Sequence, residues 1–216
     1  MSGSVKSIVV LVSGNGSNLQ AIIDYFSDKA DIAKVTAVIS NEPTAFGLQR
    51  AKDAGIDALC VNHREFDSRS EYDQALKAEI DKYSPDLVVL AGFMRILTEQ
   101  FVSSFSGKMV NIHPSLLPKY KGLNTHQKAI DAKDAEHGAS VHFVTPELDG
   151  GPVIIQSKVP VFEHDSAAEL AQRVQQQERN IYPLVVDWFC KQRLMMINNK
   201  AVLDGQELPQ NGYATD

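Results

Sequence analysis

Ser7-Ile8-Val9-Val10-Leu11-Val12, running into Ser13-Gly14-Asn15-Gly16-Ser17-Asn18, is the stretch on which the fold turns. A short, wholly apolar and mostly β-branched run reads as a strand buried on both faces. The glycines supply a tight turn, and Ser17 to Phe26 then reads as a helix. The same unit recurs downstream. Lys34 to Ser40 is a strand, Ala45 to Ala54 a helix closed by Gly55, and Ala58 to Val61 a short strand. A helix over Ser70 to Tyr83 leads through Ser84-Pro85 to the apolar strand Asp86 to Ala91, a short helix at Thr98 to Phe105, and the strand Lys108 to Ile112. Near-continuous apolar strands alternating with helices predict an α/β protein. Its sheet should be Rossmann-like, twisted and mostly parallel, with helices on both faces.

The pattern changes after the loop Pro114 to Gly122. A helix at Thr125 to Ala132 precedes Ala139 to Thr145, where apolar and polar residues alternate as in a half-buried strand. Val153 to Val159 should pair with it, antiparallel, across Asp149-Gly150-Gly151-Pro152. Asp165 or Ser166 caps a long helix running toward Phe189, with Leu170, Val174 and Ile181 on one stripe and Pro183 expected to kink or divide it. Val202-Leu203-Asp204-Gly205 could add an edge hairpin. No repeat, low-complexity segment or linker interrupts the chain, so a single domain over 1–216 is expected.

With 216 residues and 44% hydrophobic content, the chain can bury a substantial core. Its longest apolar runs, Ile8 to Val12 and Leu87 to Met94, fall far short of the roughly 20 residues that cross a bilayer. No basic, apolar and small-residue succession of a signal peptide opens it. Cys60 and Cys190 lack the spacing of a zinc or redox motif, which suits a reducing cytoplasm. A net charge of −6 argues against a broad nucleic-acid surface. It leaves open a small anionic ligand, which needs only a few local donors.

Two places carry chemistry. In Asn111-Ile112-His113-Pro114-Ser115, residues i and i+2 of a strand share a face, so Asn111 and His113 should point together while Ile112 enters the core. The Ser13 to Asn18 turn can cradle an anion at the positive end of its helix. It has no P-loop lysine, and Leu19 stands where a dinucleotide fingerprint has its third glycine, so a phosphate monoester is expected. Both features open on the carboxyl edge of the sheet, where open α/β sheets bind ligands. Asp149, in its Gly-flanked turn, can approach His113 and favour its charged form. The other histidines, His63, His126, His137, His142 and His164, lack metal-ligand spacing and read as surface or satisfied side chains; no metal site is expected. No serine has a nucleophile-elbow context.

The run Asn111-Ile112-His113-Pro114-Ser115-Leu116-Leu117-Pro118-Lys119-Tyr120 with Gly122 resembles the core motif of the folate-dependent formyltransferases. Gly138 to Val144 running into Glu147-Leu148-Asp149-Gly150-Gly151 resembles their second signature. Ser13 to Asn18 and Gln175-Gln176-Gln177-Glu178 narrow the resemblance to the purine-pathway branch, over nearly the whole chain. The resemblance implies small-molecule substrates, glycinamide ribonucleotide and the formyl donor 10-formyltetrahydrofolate, with no metal, nucleic acid or membrane, in a cytoplasmic monomer or homodimer. It makes Asn111, His113 and Asp149 catalytic. Gly16, Ser17 and Asn18 would hold the substrate phosphate, and Gln175, Gln176, Gln177 and Glu178 its ribose and glycinamide part. Arg69, Met94, Arg95, Ile96, Leu97, Asn111, Thr145, Pro146, Glu147, Leu148 and Asp149 would bind folate. Residues 1–112 then form the phosphate-binding half and 113–216 the folate-binding half.

Relatives that share the three catalytic groups set the alternatives. A methionyl-tRNA formyltransferase is expected to need a further C-terminal domain and a basic surface, and a formyltetrahydrofolate hydrolase an N-terminal domain that this sequence has no room for. A sugar-nucleotide formyltransferase would have to seat a diphosphate at Ser13 to Asn18. A non-catalytic ligand sensor would have no chemical reason to keep Asn111, His113 and Asp149 together.

Overall fold

The computed structural model describes residues 4–213. Strand β1, Lys6–Val12, lies between β2, Ala33–Ser40, and β4, Leu87–Leu90, in a seven-stranded sheet of order β3-β2-β1-β4-β5-β6-β7. Strands β3 (Asp57–Cys60) and β5 (Met109–His113) continue the parallel set outward on either side. Beyond β5, the strands β6 (Glu136–Phe143) and β7 (Val153–Pro160) each run antiparallel to their predecessor. The expected mostly parallel sheet with antiparallel additions is what the chain forms.

Alternation along the strands divides the core in two. Ile8, Val10 and Val12 face one side, with Leu19 and Ile22 of α1 (Ser17–Phe26), Leu48 of α2 (Phe46–Asp53), Ala129 of α5 (Thr125–Asp131) and Val174 of α6 (Ala167–Cys190). Val9 and Leu11 face the other, with Leu76 and Ile80 of α3 (Arg69–Asp81) and Phe101 of α4 (Glu99–Ser104). Each of the larger of these side chains, fully withdrawn from water, contributes about 1.5–3 kcal/mol before the entropy of ordering it is counted. Because β1 is wound in both directions, toward β2 and toward β4, a crevice opens at its carboxyl end.

Three expectations needed correction. The strand expected at Ala139–Thr145 runs Glu136–Phe143, and its residues from His137 onward are buried rather than half-buried. It is an interior strand, covered by α6 on one side and by the loops after β5 on the other, so its polar residues are inward-facing and bonded. Pro183 does not divide the long helix: α6 is continuous over 24 residues, and Pro183 sits buried within it. Ser166 alone caps that helix, through a capping box with Glu169. Finally, the hairpin expected over Val202 to Gly205 does form, but away from the edge of the main sheet. It belongs to a separate antiparallel sheet of β8 (Leu194–Ile197), β9 (Lys200–Leu203) and β10 (Gln206–Glu207).

Candidate functional site

Gly16 precedes helix α1 as its N-cap, and its φ of 75° is the left-handed conformation that glycine adopts without penalty. A Cβ there would stand 2.8 Å from the Gly47 Cα, so the turn and α2 meet backbone to backbone. No side chain caps the helix, which leaves its first amides free to donate. Asn18 is buried and its Nδ2 donates to Glu178 Oε2 at 2.8 Å, joining the first half of the chain to α6. The Asn18 Oδ1 is buried with no partner. Burial is the largest influence on Glu178 and raises its carboxyl pKa, against the opposing effects of Asn18 and His113.

At the end of β5, Asn111 lies opposite His142 and His113 opposite Ser140 in the antiparallel register. The Asn111–His113 pair therefore does share one face, with Ile112 buried on the other. His142 Nδ1 lies 2.9 Å from the Phe143 carbonyl, which can only accept, so that nitrogen carries the proton. Burial pushes the pKa of His142 down and keeps the ring neutral. Its Nε2 then accepts from Asn111 Nδ2 at 3.1 Å, which fixes the orientation of the amide and leaves its second N–H free.

His113 is held in the same manner. Its Nε2–H donates to the Tyr120 carbonyl at 2.9 Å, leaving Nδ1 toward Asp149 Oδ2 at 3.5 Å. Asp149 Oδ1 stands 3.9 Å from His142 Nε2, and Oδ2 accepts from the Gly122 amide at 2.9 Å. Asp149 has a φ of 49°, a conformation that a short polar side chain tolerates. The glycine after next is required by crowding: a Cβ on Gly151 would lie 1.8 Å from the Phe143 carbonyl oxygen. Ser140, opposite His113, ties down the loop that follows, donating to the Ser115 carbonyl and accepting from the Leu117 amide.

Beside this cluster is a cavity of about 130 Å³ lined by Arg95, Ile96, Leu97, Asn111, His142 and the segment Thr145 to Asp149, among others. Arg95 Nε is buried without a partner, and its guanidinium lies 5.3 Å from the Tyr72 ring centre. Ile96 and Leu148 remain exposed at the rim. Lys121 holds Glu147 at 2.6 Å.

Most of the residues expected in the site are thus gathered, and several are not. Arg69 is an exposed residue opening α3 and does not line the cavity; Met94 is bound through its amide to Ser13 Oγ but turns its side chain outward. Gln175 and Gln176 are exposed, and Gln177 accepts from Ser157 on β7, so within that run only Glu178 is bonded to the Ser13 to Asn18 turn. His142, expected to be a surface or satisfied histidine, is satisfied at both ring nitrogens, and it also lies within the cluster. Its alternation with Ser140 in an otherwise apolar strand was the available signal. Among the described residues, no group of three or more histidine, cysteine or carboxylate side chains could hold a metal ion, and no helix is long and apolar enough to cross a membrane.

A crevice at the carboxyl edge of an open sheet, with an anion-ready helix end on one side and an Asn-His-Asp cluster on the other, defines a class. The chain belongs to the formyl transferase family, whose model matches residues 6–186. It is 60% identical to the phosphoribosylglycinamide formyltransferase of Escherichia coli, over 97% of this chain and 99% of that protein. The Haemophilus influenzae phosphoribosylglycinamide formyltransferase is 50% identical over 98% of this chain and all of its own length. The solved structure of phosphoribosylglycinamide formyltransferase from Coxiella burnetii superposes with a TM-score of 0.93 at 49% identity, covering 98% of this chain and 100% of that one.

Proposed function

We propose that this protein transfers the formyl group of 10-formyltetrahydrofolate to the free amine of glycinamide ribonucleotide, as a single formyltransferase domain in the cytoplasm. The observation that carries the proposal is the position of Asn111, His113, His142 and Asp149 between the α1 N-terminus and the Arg95–Leu148 cleft. The phosphate would lie on the amides of Gly16, Ser17 and Asn18. Glu178, bonded to Asn18, would meet the ribose or glycinamide portion. The folate ring fits the cleft on two grounds: Arg95 Nε lacks a partner there, and Ile96 and Leu148 offer exposed apolar surface. A cavity of about 130 Å³ is below the roughly 300–1,000 Å³ of complete ligand sites, so it receives the ring end and leaves the remainder at the rim.

When the amine attacks the formyl carbon, negative charge grows on the formyl oxygen and a proton must leave the nitrogen. Asn111 has one N–H uncommitted, and His113 Nδ1 is the ring nitrogen not engaged by Tyr120. These are the two donors for the developing charge, each worth about 2.7–4 kcal/mol where such groups have been removed from other enzymes. With both ring nitrogens protonated His113 donates from Nδ1, and Asp149, 3.5 Å from that nitrogen, orients the ring and is placed to accept the amine proton through a water and pass it to the departing folate nitrogen. His142 holds Asn111 in the donating orientation.

The test is direct: purified protein with both substrates should yield formylglycinamide ribonucleotide and tetrahydrofolate in equal amounts. Deformylation at the same rate without the amine would make it a hydrolase, and binding without turnover a sensor.

A further inference from the structure

We infer that Arg50 is a positioning and charge-supplying residue for the phosphate of the amine substrate, and so selects the phosphorylated substrate. The inference rests on the phosphate placement proposed above. Arg50 lies on α2, outside the turn, and reaches back across it. Its Nε donates to the Asn15 carbonyl at 2.8 Å, one Nη to Asn15 Oδ1 at 3.0 Å, and the other Nη to Gln20 Oε1 at 3.2 Å. Both acceptors of Asn15 are thereby turned toward the guanidinium, so that neither carbonyl competes with an anion for the amides that follow. The Gly47 amide binds the Gly14 carbonyl at 3.0 Å, completing a clamp by α2 on the turn.

Charge points the same way. Arg64, Arg173 and Arg193 each pair with a carboxylate at 2.9 Å or less, whereas among the described residues Arg50, like Arg69, Arg95 and Arg179, has no acidic partner. Its guanidinium is 4.8 Å from the centre of the Phe46 ring, which holds the group in place without neutralising it. An unpaired guanidinium beside the positive end of α1 is an arrangement of like charges that an anion between or next to them stabilises. Three of its five N–H groups are used, so two remain for that anion. Arg50 does not reach the formyl-transfer cluster, and its contribution should be confined to ground-state binding.

The experiment is steady-state kinetics of Arg50→Met beside the wild type, with inorganic phosphate as a competitive probe. The expected result is a rise of about ten-fold or more both in KM for glycinamide ribonucleotide and in the inhibition constant of phosphate, with kcat and KM for 10-formyltetrahydrofolate within about two-fold of wild type. An unchanged KM for the ribonucleotide, unchanged phosphate inhibition, or an equal rise in both KM values would overturn the inference. Where Arg50→Met does not fold, Arg50→Gln, neutral and able to keep one bond to Asn15, is judged by the same criteria. Turnover of the two substrates by wild-type protein tests the proposed function separately.

Discussion

The two ends of the crevice are built by different means. At the α1 end the ligand-facing groups are backbone amides, locked by glycines packed against α2 and by the buried Asn18–Glu178 bond. At the cleft end they are side chains on two irregular segments, Arg95 to Leu97 and Thr145 to Asp149, with Ile96 and Leu148 exposed. On the proposed function, the first end would be formed before any ligand arrives and the second completed by it. A small doubly charged group demands a fixed nest of donors, whereas a flat ring can supply the apolar contacts that its own site lacks.

The meeting point of the two ends should be the most sensitive to substitution. His113→Ala is expected to lower kcat by about 10²–10⁴ while both KM values stay near wild type, read from initial rates. A loss confined to one KM would assign His113 to one end and break the comparison.

Acid should act on the interior that supports both ends. Burial depresses the pKa of His137 to about 4 and lowers those of His126 and His142 below the usual 6.5. The unfolded chain takes up these protons and the folded one does not. Stability present above about pH 6.5 is therefore lost as pH falls toward 4. Urea melts of wild type and His137→Gln at pH 7 and pH 5 should show a smaller loss in the variant, and equal losses would remove His137 from this account.

The last pair separates the ends directly. Gly16→Ala, strained in φ and crowded by Gly47, should cost about 1–3 kcal/mol in thermal melts and raise KM for the ribonucleotide but not for folate. Leu148→Asp should leave melting unchanged and raise only the folate KM, by about ten-fold, as expected for losing roughly one exposed apolar contact of 1–2 kcal/mol. If the two variants exchanged effects, the division of labour would be reversed.

Much of this was legible beforehand. The strand Ile8 to Val12, the helix Ser17 to Phe26 and the shared face of Asn111 and His113 follow from local periodicity and turn chemistry, which act over a few residues. The placement of Asp149 against His113 was expected from its Gly-flanked turn. Other features were not readable, because they depend on which strands become neighbours. His142 joins the site only because β6 pairs antiparallel to β5 in a register that sets it opposite Asn111. Met94 and Gln176 lie in matching motifs, yet point outward.

By itself, then, the sequence determined the βα units, the glycine turn and the chemical identity of the acid–base groups, since each is encoded by neighbours in the chain. The tertiary structure decided which of those groups meet. Asn18 finds Glu178 across 160 positions and Arg50 finds Asn15 across 35, contacts created by sheet order and helix packing, with no local signal to announce them.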